Sequence, residues 1–407
     1  MIRGARQLLT LRGPKEPRRG SALEELAVIH DGSLLIHEGV LKEVGPTRRV
    51  ENLSLARNAI EINAAGRVVM PGFVDSHTHL LFPLRGSDEA SGTQTIRTMA
   101  GSRLAVKARA YLEAMARHGT TTVEAKTGCG PDLIAEMKIL RALAGLKQKP
   151  VDVISTFLLR LPLSSIGEAE HWKSLEGWIG GELLSTLHRR RLARFADLYW
   201  QDQSGLMPSW SRYLEVAGRS GLALKVHAEG PRPSAAVVLA TETGAASVDH
   251  LEHATADDAN PLAHTKTIAT LLPCASFHHE IPYAPARAFI DAGAAVALAS
   301  NFNPCLTPML NMQVVIKLAC CRMRMTPAEA VSAATINGAH ALGCADTVGT
   351  LEPGKLADVL VLNIPDYREL AHQFGTNLVH TTIKHGDIIW QEGKVAPRNA
   401  EELRPAW

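Results

Sequence analysis

Between residues 70 and 346 the chain alternates short apolar β runs with helical patterns, and this alternation restricts its fold more than any other feature. Eight runs read as strands: VVMPGFVDSHTHL, TTTVEAK, VDVISTFLL, ADLYWQD, LALKVHAE, ASVDHLE, TIATLLP and AVALASN. Helical patterns such as PDLIAEMKILRALAGL and SWSRYLEVAGRS lie between most of them. TPAEAVSAATINGAHALG follows the last strand, with Thr326 as N-cap and Pro327 at the first helical position. Strand–helix units repeated in this way over about 275 residues predict a parallel sheet closed into a (β/α)8 TIM barrel. A doubly wound open sheet is the rival. It would prefer a Gly-rich phosphate loop after its first strand, and the sequence has none there.

The two ends read differently. AVIHDGSLLIHEGVLKEVGP has apolar runs broken by Asp-Gly and Glu-Gly, which are hairpin signals, and AIEINAAGRVVMPG continues the pattern. GTLEPGKLADVLVLN and HTTIKHGDIIWQEGKV repeat that chemistry near the other end. The economical arrangement is a small composite β-sandwich domain from residues 1–69 and 347–407, with the barrel at 70–346. At the start, ARQLLTL reads as a strand and GPKEPRRG as a solvated loop.

Bulk properties exclude several classes of function. Net charge is +2 and aromatics are 5%, with no basic stretch interleaved with aromatic residues, so no nucleic-acid partner is expected. No apolar run reaches 18 residues, so no membrane span is expected. None of the six cysteines lies in a CxxC pair, which fits a reducing, cytoplasmic setting.

In a TIM barrel, chemistry sits at the C-terminal ends of the strands. Those ends carry Asp75, His77 and His79, then Glu124 and Lys126, Leu159 and Arg160, Asp202, His227 and Glu229, Asp249 and His250, and finally Asn301. His77 and His79 are two apart after the buried run VVMPGFV, so both face one way and can clamp a metal ion. His227 would add the third nitrogen that zinc or iron prefers. His250 could orient substrate, accept a proton or ligate. His253 reads as solvated, His278 and His279 as an exposed loop, and HRRRLAR at 188–194 as a solvated helix face.

PGFVDSHTHL, GTTTVEAKTGCG, KVHAEG, SVDHLEH, FNP and GTLEPGKLADVLVLN, in that order, resemble the amidohydrolase superfamily over nearly the whole chain. TTTVEAK, LLPCASF and NFNP are similar to its imidazolonepropionase branch, which belongs to histidine degradation. The resemblance implies a barrel with one divalent metal ion, zinc or iron, held by His77, His79, His227 and the residue at Asn301. It also implies a small-molecule substrate, hydrolysis of a C–N bond in a cyclic amide, and a homodimer. Catalytic roles would fall to His250, Glu229 and Asn301, and substrate contacts to Arg85, Cys129 and Arg160.

Several departures fall on the working residues. The family pattern at strand eight is Asp-Phe-Asn-Pro, and here it is Asn301-Phe302-Asn303-Pro304. Asn offers a carbonyl oxygen but neither a charge nor a base at neutral pH. Cys129 stands where the family has Tyr. Leu159, Arg160 and Leu161 replace Gly-Ala-His, and Gly230 follows Glu229 where Glu or Gln is common. The loop LLFPLRGSDEA contains Arg85, and the stretch after it, SGTQTIRTMAGSR, is shortened. These changes point to a shifted substrate or a lost activity on a retained scaffold, the latter leaving a catalytically impaired binding homologue.

Overall fold

The computed structural model describes residues 1–82, 89–130, 132–146, 150–160, 182–200, 207–230 and 233–393. Both ends of the chain enter one mixed eight-stranded sheet. From the N-terminal side come β1 (Ile2–Leu9), β2 (Val28–His37), β3 (Val40–Pro46), β4 (Ile62–Asn63) and β5 (Val68–Pro71). Between β5 and the C-terminal strands of this sheet, the chain forms β6 (Phe73–Asp75), β7 (Thr120–Lys126), β8 (Asp152–Leu159), β9 (Phe195–Tyr199), β10 (Ala223–Ala228), β11 (Ser247–His250), β12 (Ile268–Leu271) and β13 (Val296–Leu298). It then returns through β14 (Val359–Leu362), β15 (Val379–Lys384) and β16 (Asp387–Gln391). The mixed sheet runs β16-β15-β14-β5-β1-β2-β3, with β4 beside β1. It has its own apolar core, including Leu8, Leu34, Val69, Val359 and Ile383.

Strands β6 to β13 form the second sheet, each parallel to its sequence neighbours. All eight lie within or at the ends of the runs expected from sequence. A bridge between Thr78 and Phe302 joins the loop after β6 to the loop after β13. His79 N–H donates to Phe302 O at 2.7 Å beside it, drawing the two edge strands together. Helices flank the sheet for the expected reason. In Gly101–Arg117, Leu104, Ala108, Leu112 and Met115 recur at three- and four-residue spacing and are all buried. Thr326 caps Pro327–Ala333 in a capping box with Glu329, as its sequence announces.

Four local readings need correction. VVMPGFVDSHTHL is two strands on two sheets, pivoting at Gly72, where any Cβ would run into the Thr121 side chain. The mixed sheet therefore reaches Pro71, and His77 and His79 lie just beyond the end of β6. Asp31-Gly32 is no turn: β2 runs through it, and the hairpin falls at Glu38-Gly39, both at positive φ. GPKEPRRG is only partly solvated. Arg18 is 1% exposed and donates to Leu11 O at 2.7 Å, and Asn337 accepts its backbone N–H. A buried cluster of backbone carbonyls thus satisfies an arginine that composition alone places in water. In HRRRLAR, Leu192 and Ala193 are buried rather than on a solvated face.

Candidate metal centre

The barrel interior is charged where barrels of this type usually fill with branched apolar residues. The cause is period-two alternation: Glu124 and Lys126 share one face of β7, Lys225 and His227 one face of β10, Ser247 and Asp249 one face of β11. Lys126 Nζ lies 2.5 Å from Asp197, 2.9 Å from Asp249 and 3.2 Å from Glu124. Lys225 Nζ lies 2.7 Å from Glu124 and 3.1 Å from the Ser76 carbonyl. Thr156 donates to the other Glu124 oxygen at 2.5 Å. All of these side chains are buried, and the pairing offsets the cost of taking them out of water.

Above this floor the histidines converge. Ring centroids are 4.9 Å apart for His77 and His227, 5.1 Å for His77 and His250, and 4.3 Å for His227 and His250. His79 stands 5.2 Å from His77 and 5.7 Å from His227. A ligand atom from each of His77, His227 and His250 fits within a 4.8 Å group, as does one from each of His77, Glu124 and Asp249. Each of three rings has a carboxylate nearby: His77 Nδ1 lies 2.8 Å from Asp249, His250 Nδ1 3.0 Å from Glu252, and His227 Nε2 3.6 Å from Glu229. Within this cluster, four buried ring nitrogens have no hydrogen-bond partner among the described residues: His77 Nε2, His79 Nδ1, His227 Nδ1 and His250 Nε2. Such orphans are rare in a finished core. Converging imidazoles backed by carboxylates are what a divalent metal ion accepts.

Charge states follow the surroundings. Burial lowers His77 and His79 well below the usual imidazole value, with Lys126 and the other rings reinforcing it. Burial likewise brings His227 down to about 4. These are neutral rings with lone pairs to give. Burial also works against a charged His250, but Glu252, with Glu229 and Asp249, holds it up to about 9. Burial opposes ionisation of Glu229, yet His227, His250 and the Tyr199 hydroxyl keep it well below the usual carboxylate range. Asp75 is pushed up to about 6 by burial, although Ser300 N–H and Oγ–H donate to it at 2.9 and 2.5 Å.

Asn301 follows directly on Ser300 at the end of β13, 8% exposed, with φ of 53°. His250 and Leu251 also take positive φ, at 81° and 69°. Left-handed backbone in non-glycine residues costs energy and gathers at functional ends of strands. Asn is among the residues that tolerate it best, which supplies a local backbone reason for Asn301. At the rim, the Arg160 guanidinium lies 5.0 Å from the Tyr199 ring and 5.7 Å from Phe82. Tyr199 donates to Glu229 at 3.0 Å and stands 5.0 Å from the His227 ring.

The expected substrate residues are placed unevenly. Arg85, Asp202 and Leu161 lie outside the described residues. Cys129 is 5% exposed and packs in a core with Leu80, Leu81 and Phe302, while its backbone N–H bonds Glu136. It is a packing residue more than a pocket wall. His253 is exposed as expected, and His279 meets Thr307 Oγ1 at 3.2 Å. Tyr199 and Glu252 escaped the sequence reading. Glu252 had a signal, standing two residues after His250 in DHLEH, whereas Tyr199 lies inside the run ADLYWQD and becomes a strand end only in the structure.

Comparison with known proteins agrees with this architecture. The model of the amidohydrolase family matches residues 68–148 and 213–389. An imidazolonepropionase of Parabacteroides distasonis is 37% identical over 411 residues, covering 95% of this chain and 98% of its own. One of Geobacillus kaustophilus is 36% identical over 422 residues, covering 97% and 98%. Among solved structures, an atrazine chlorohydrolase from Arthrobacter aurescens complexed with zinc superimposes with TM-score 0.73 at 16% identity, covering 98% of this chain and 97% of that one. The guanine deaminase of E. coli gives TM-score 0.69 at 16% identity, covering 96% and 99%. These two share the fold. With its barrel, its histidine cluster and two relatives matched almost end to end, the chain belongs to the amidohydrolase family, beside the imidazolonepropionases.

Proposed function

We propose that the chain is a metal-dependent hydrolase that opens a C–N bond in a small cyclic amide, with 4-imidazolone-5-propanoate as substrate and N-formimidoyl-L-glutamate as product. The observation that carries this reading is the set of four buried, unpartnered imidazole nitrogens at one end of the barrel. The similarity to proteins named imidazolonepropionase supports the substrate. His77, His79 and His227 would hold a single zinc or iron ion, and Asn301 would offer its side-chain oxygen. When bound, such an ion acts as a Lewis acid, activating water at neutral pH and polarising a carbonyl.

In the reaction, water adds across the ring amide. Its oxygen bonds to the carbonyl carbon, the C–N bond breaks, and the freed nitrogen takes a proton. His250 is the group in place to deliver that proton, because Glu252 fixes its Nδ1 and leaves Nε2 directed elsewhere. Glu229, held by Tyr199 and 3.6 Å from His227, is partly open to solvent and would receive the proton from water as a weak base, its low proton affinity offset by position. Arg160 stacks at the rim, where a substrate carboxylate would enter. A second reading, a different small ring as substrate, is favoured by one observation: Cys129 is buried in packing and leaves the family's tyrosine hydroxyl unreplaced. A homodimer in a reducing compartment is the proposed setting. All six cysteines are free, and no helix among the described residues is long and apolar enough to cross a membrane.

The test is metal analysis of protein purified without added metal, together with turnover of 4-imidazolone-5-propanoate. Stoichiometric zinc or iron with release of N-formimidoyl-L-glutamate supports the proposal. Protein that stays metal-free and inert after zinc or iron is supplied contradicts it.

A further inference from the structure

Among the described residues, Asp249 alone bonds both a histidine of the cluster and the charged floor beneath. Its Oδ2 lies 2.8 Å from His77 Nδ1, 2.9 Å from Lys126 Nζ and 3.5 Å from Lys225 Nζ. Its Oδ1 accepts the Ser247 hydroxyl, so four groups lock a carboxylate that is wholly buried. The bond at Nδ1 leaves His77 Nε2 buried and unpartnered. Beneath, among the described residues, the carboxylates of Glu124, Asp197 and Asp249 have Lys126 and Lys225 as their ammonium partners, three acids to two bases. The end of β13 offers only the neutral amide of Asn301. A dication set among neutral imidazoles and an amide lacks a balancing charge in contact with it. In a low-dielectric interior, an anion one ring-width behind still acts strongly.

We propose that Asp249 is the positioning residue of the metal centre: it fixes His77 with its proton on Nδ1, aims Nε2 at the ion, and supplies from behind the negative charge that Asn301 does not supply in front. This rests on the reading of His77 as a ligand. A carboxylate behind a ligating histidine typically changes metal affinity by about 10–100-fold.

The experiment is zinc affinity of the full-length chain, measured by competition with a chromophoric chelator. Asp249→Asn is expected to weaken zinc binding by about 10–100-fold. Asp197→Asn, which removes a carboxylate from the same network without touching a histidine, is expected to weaken zinc binding less than Asp249→Asn does, and an equal or larger loss overturns the positioning role. A folded Asp249→Asn protein with wild-type zinc affinity overturns the proposal. If Asp249→Asn does not fold, 15N spectra of the wild-type histidines decide. His77, assigned by the signals lost in His77→Asn, is expected to carry its proton on Nδ1 and to shift at Nε2 when zinc is added. A proton on Nε2 overturns the proposal. Wild-type protein that takes up no zinc overturns both this and the metal reading. Zinc uptake without turnover of 4-imidazolone-5-propanoate contradicts the proposed reaction alone.

Discussion

The floor of the barrel and the rim of its mouth are built on different terms. On the floor, Glu124, Lys126, Asp197, Lys225 and Asp249 each meet an opposite charge within 3.5 Å, and all are buried. On the rim, Asn301 stands where the related pattern has Asp, Gly230 follows Glu229, and Arg160 lies over Tyr199 and Phe82. The floor cannot change one residue without orphaning another. The rim can change one group at a time, because solvent or substrate takes up the slack. A chain can therefore keep the scaffold and the buried histidine cluster while single groups at the rim change.

That contrast predicts a ranking of effects. The largest belongs to the floor: Lys126→Met leaves Asp197 and Asp249 short of a partner and should cost about 3–5 kcal/mol in urea unfolding. A cost below about 1 kcal/mol would show that the floor is not tightly coupled. Next comes the seam between the two sheets. Gly72→Ala forces a methyl group against Thr121 and should cost about 1–3 kcal/mol by the same measurement.

A smaller effect concerns Asp152, below the barrel, which meets Lys384 Nζ at 2.6 Å and His385 Nε2 at 3.2 Å. Burial opposes its ionisation, but His385 and Lys384 leave its folded value below the ordinary one. Its contribution is therefore fully present above the unfolded carboxylate value of about 3.9, and is lost as pH falls through the lower folded value. Asp152→Asn should cost about 1 kcal/mol at neutral pH and flatten the acid limb of the stability profile. The smallest change in stability belongs to the rim. Arg160→Gln should alter unfolding by less than about 1 kcal/mol while raising KM for an anionic substrate. A larger loss of stability than from Lys126→Met would reverse the comparison.

Much of the architecture was legible in the sequence because periodicity carries it. Eight apolar runs separated by helical patterns dictate the barrel, and HTH after VVMPGFV announces paired histidines in a buried place. What was not legible depends on contacts across the fold. Nothing local marks Gly72 as the point where one apolar run leaves one sheet for another, since the obstacle is Thr121 on β7. Arg18 reads as a loop cation until the carbonyls of Leu11, Ala22 and Glu25 gather around it. Cys129 aligns with a substrate residue in sequence, but its thiol belongs to the packing beside Leu80 and Leu81. Asp249 could be placed at a strand end from sequence. Its link to His77 could not, because the two are 172 residues apart.

Asn301, buried after β13, is the change at the rim with the sharpest chemical consequence. Its left-handed backbone tolerates Asp as well as Asn, so Asn301→Asp tests the chemistry without disturbing the fold. The most direct measurement is turnover of 4-imidazolone-5-propanoate by zinc-loaded wild type and zinc-loaded Asn301→Asp, side by side. Measurable turnover by the wild type, raised on the order of tenfold or more by the added carboxylate base, is the predicted result. Zinc bound tightly to both proteins with neither opening the ring would contradict it.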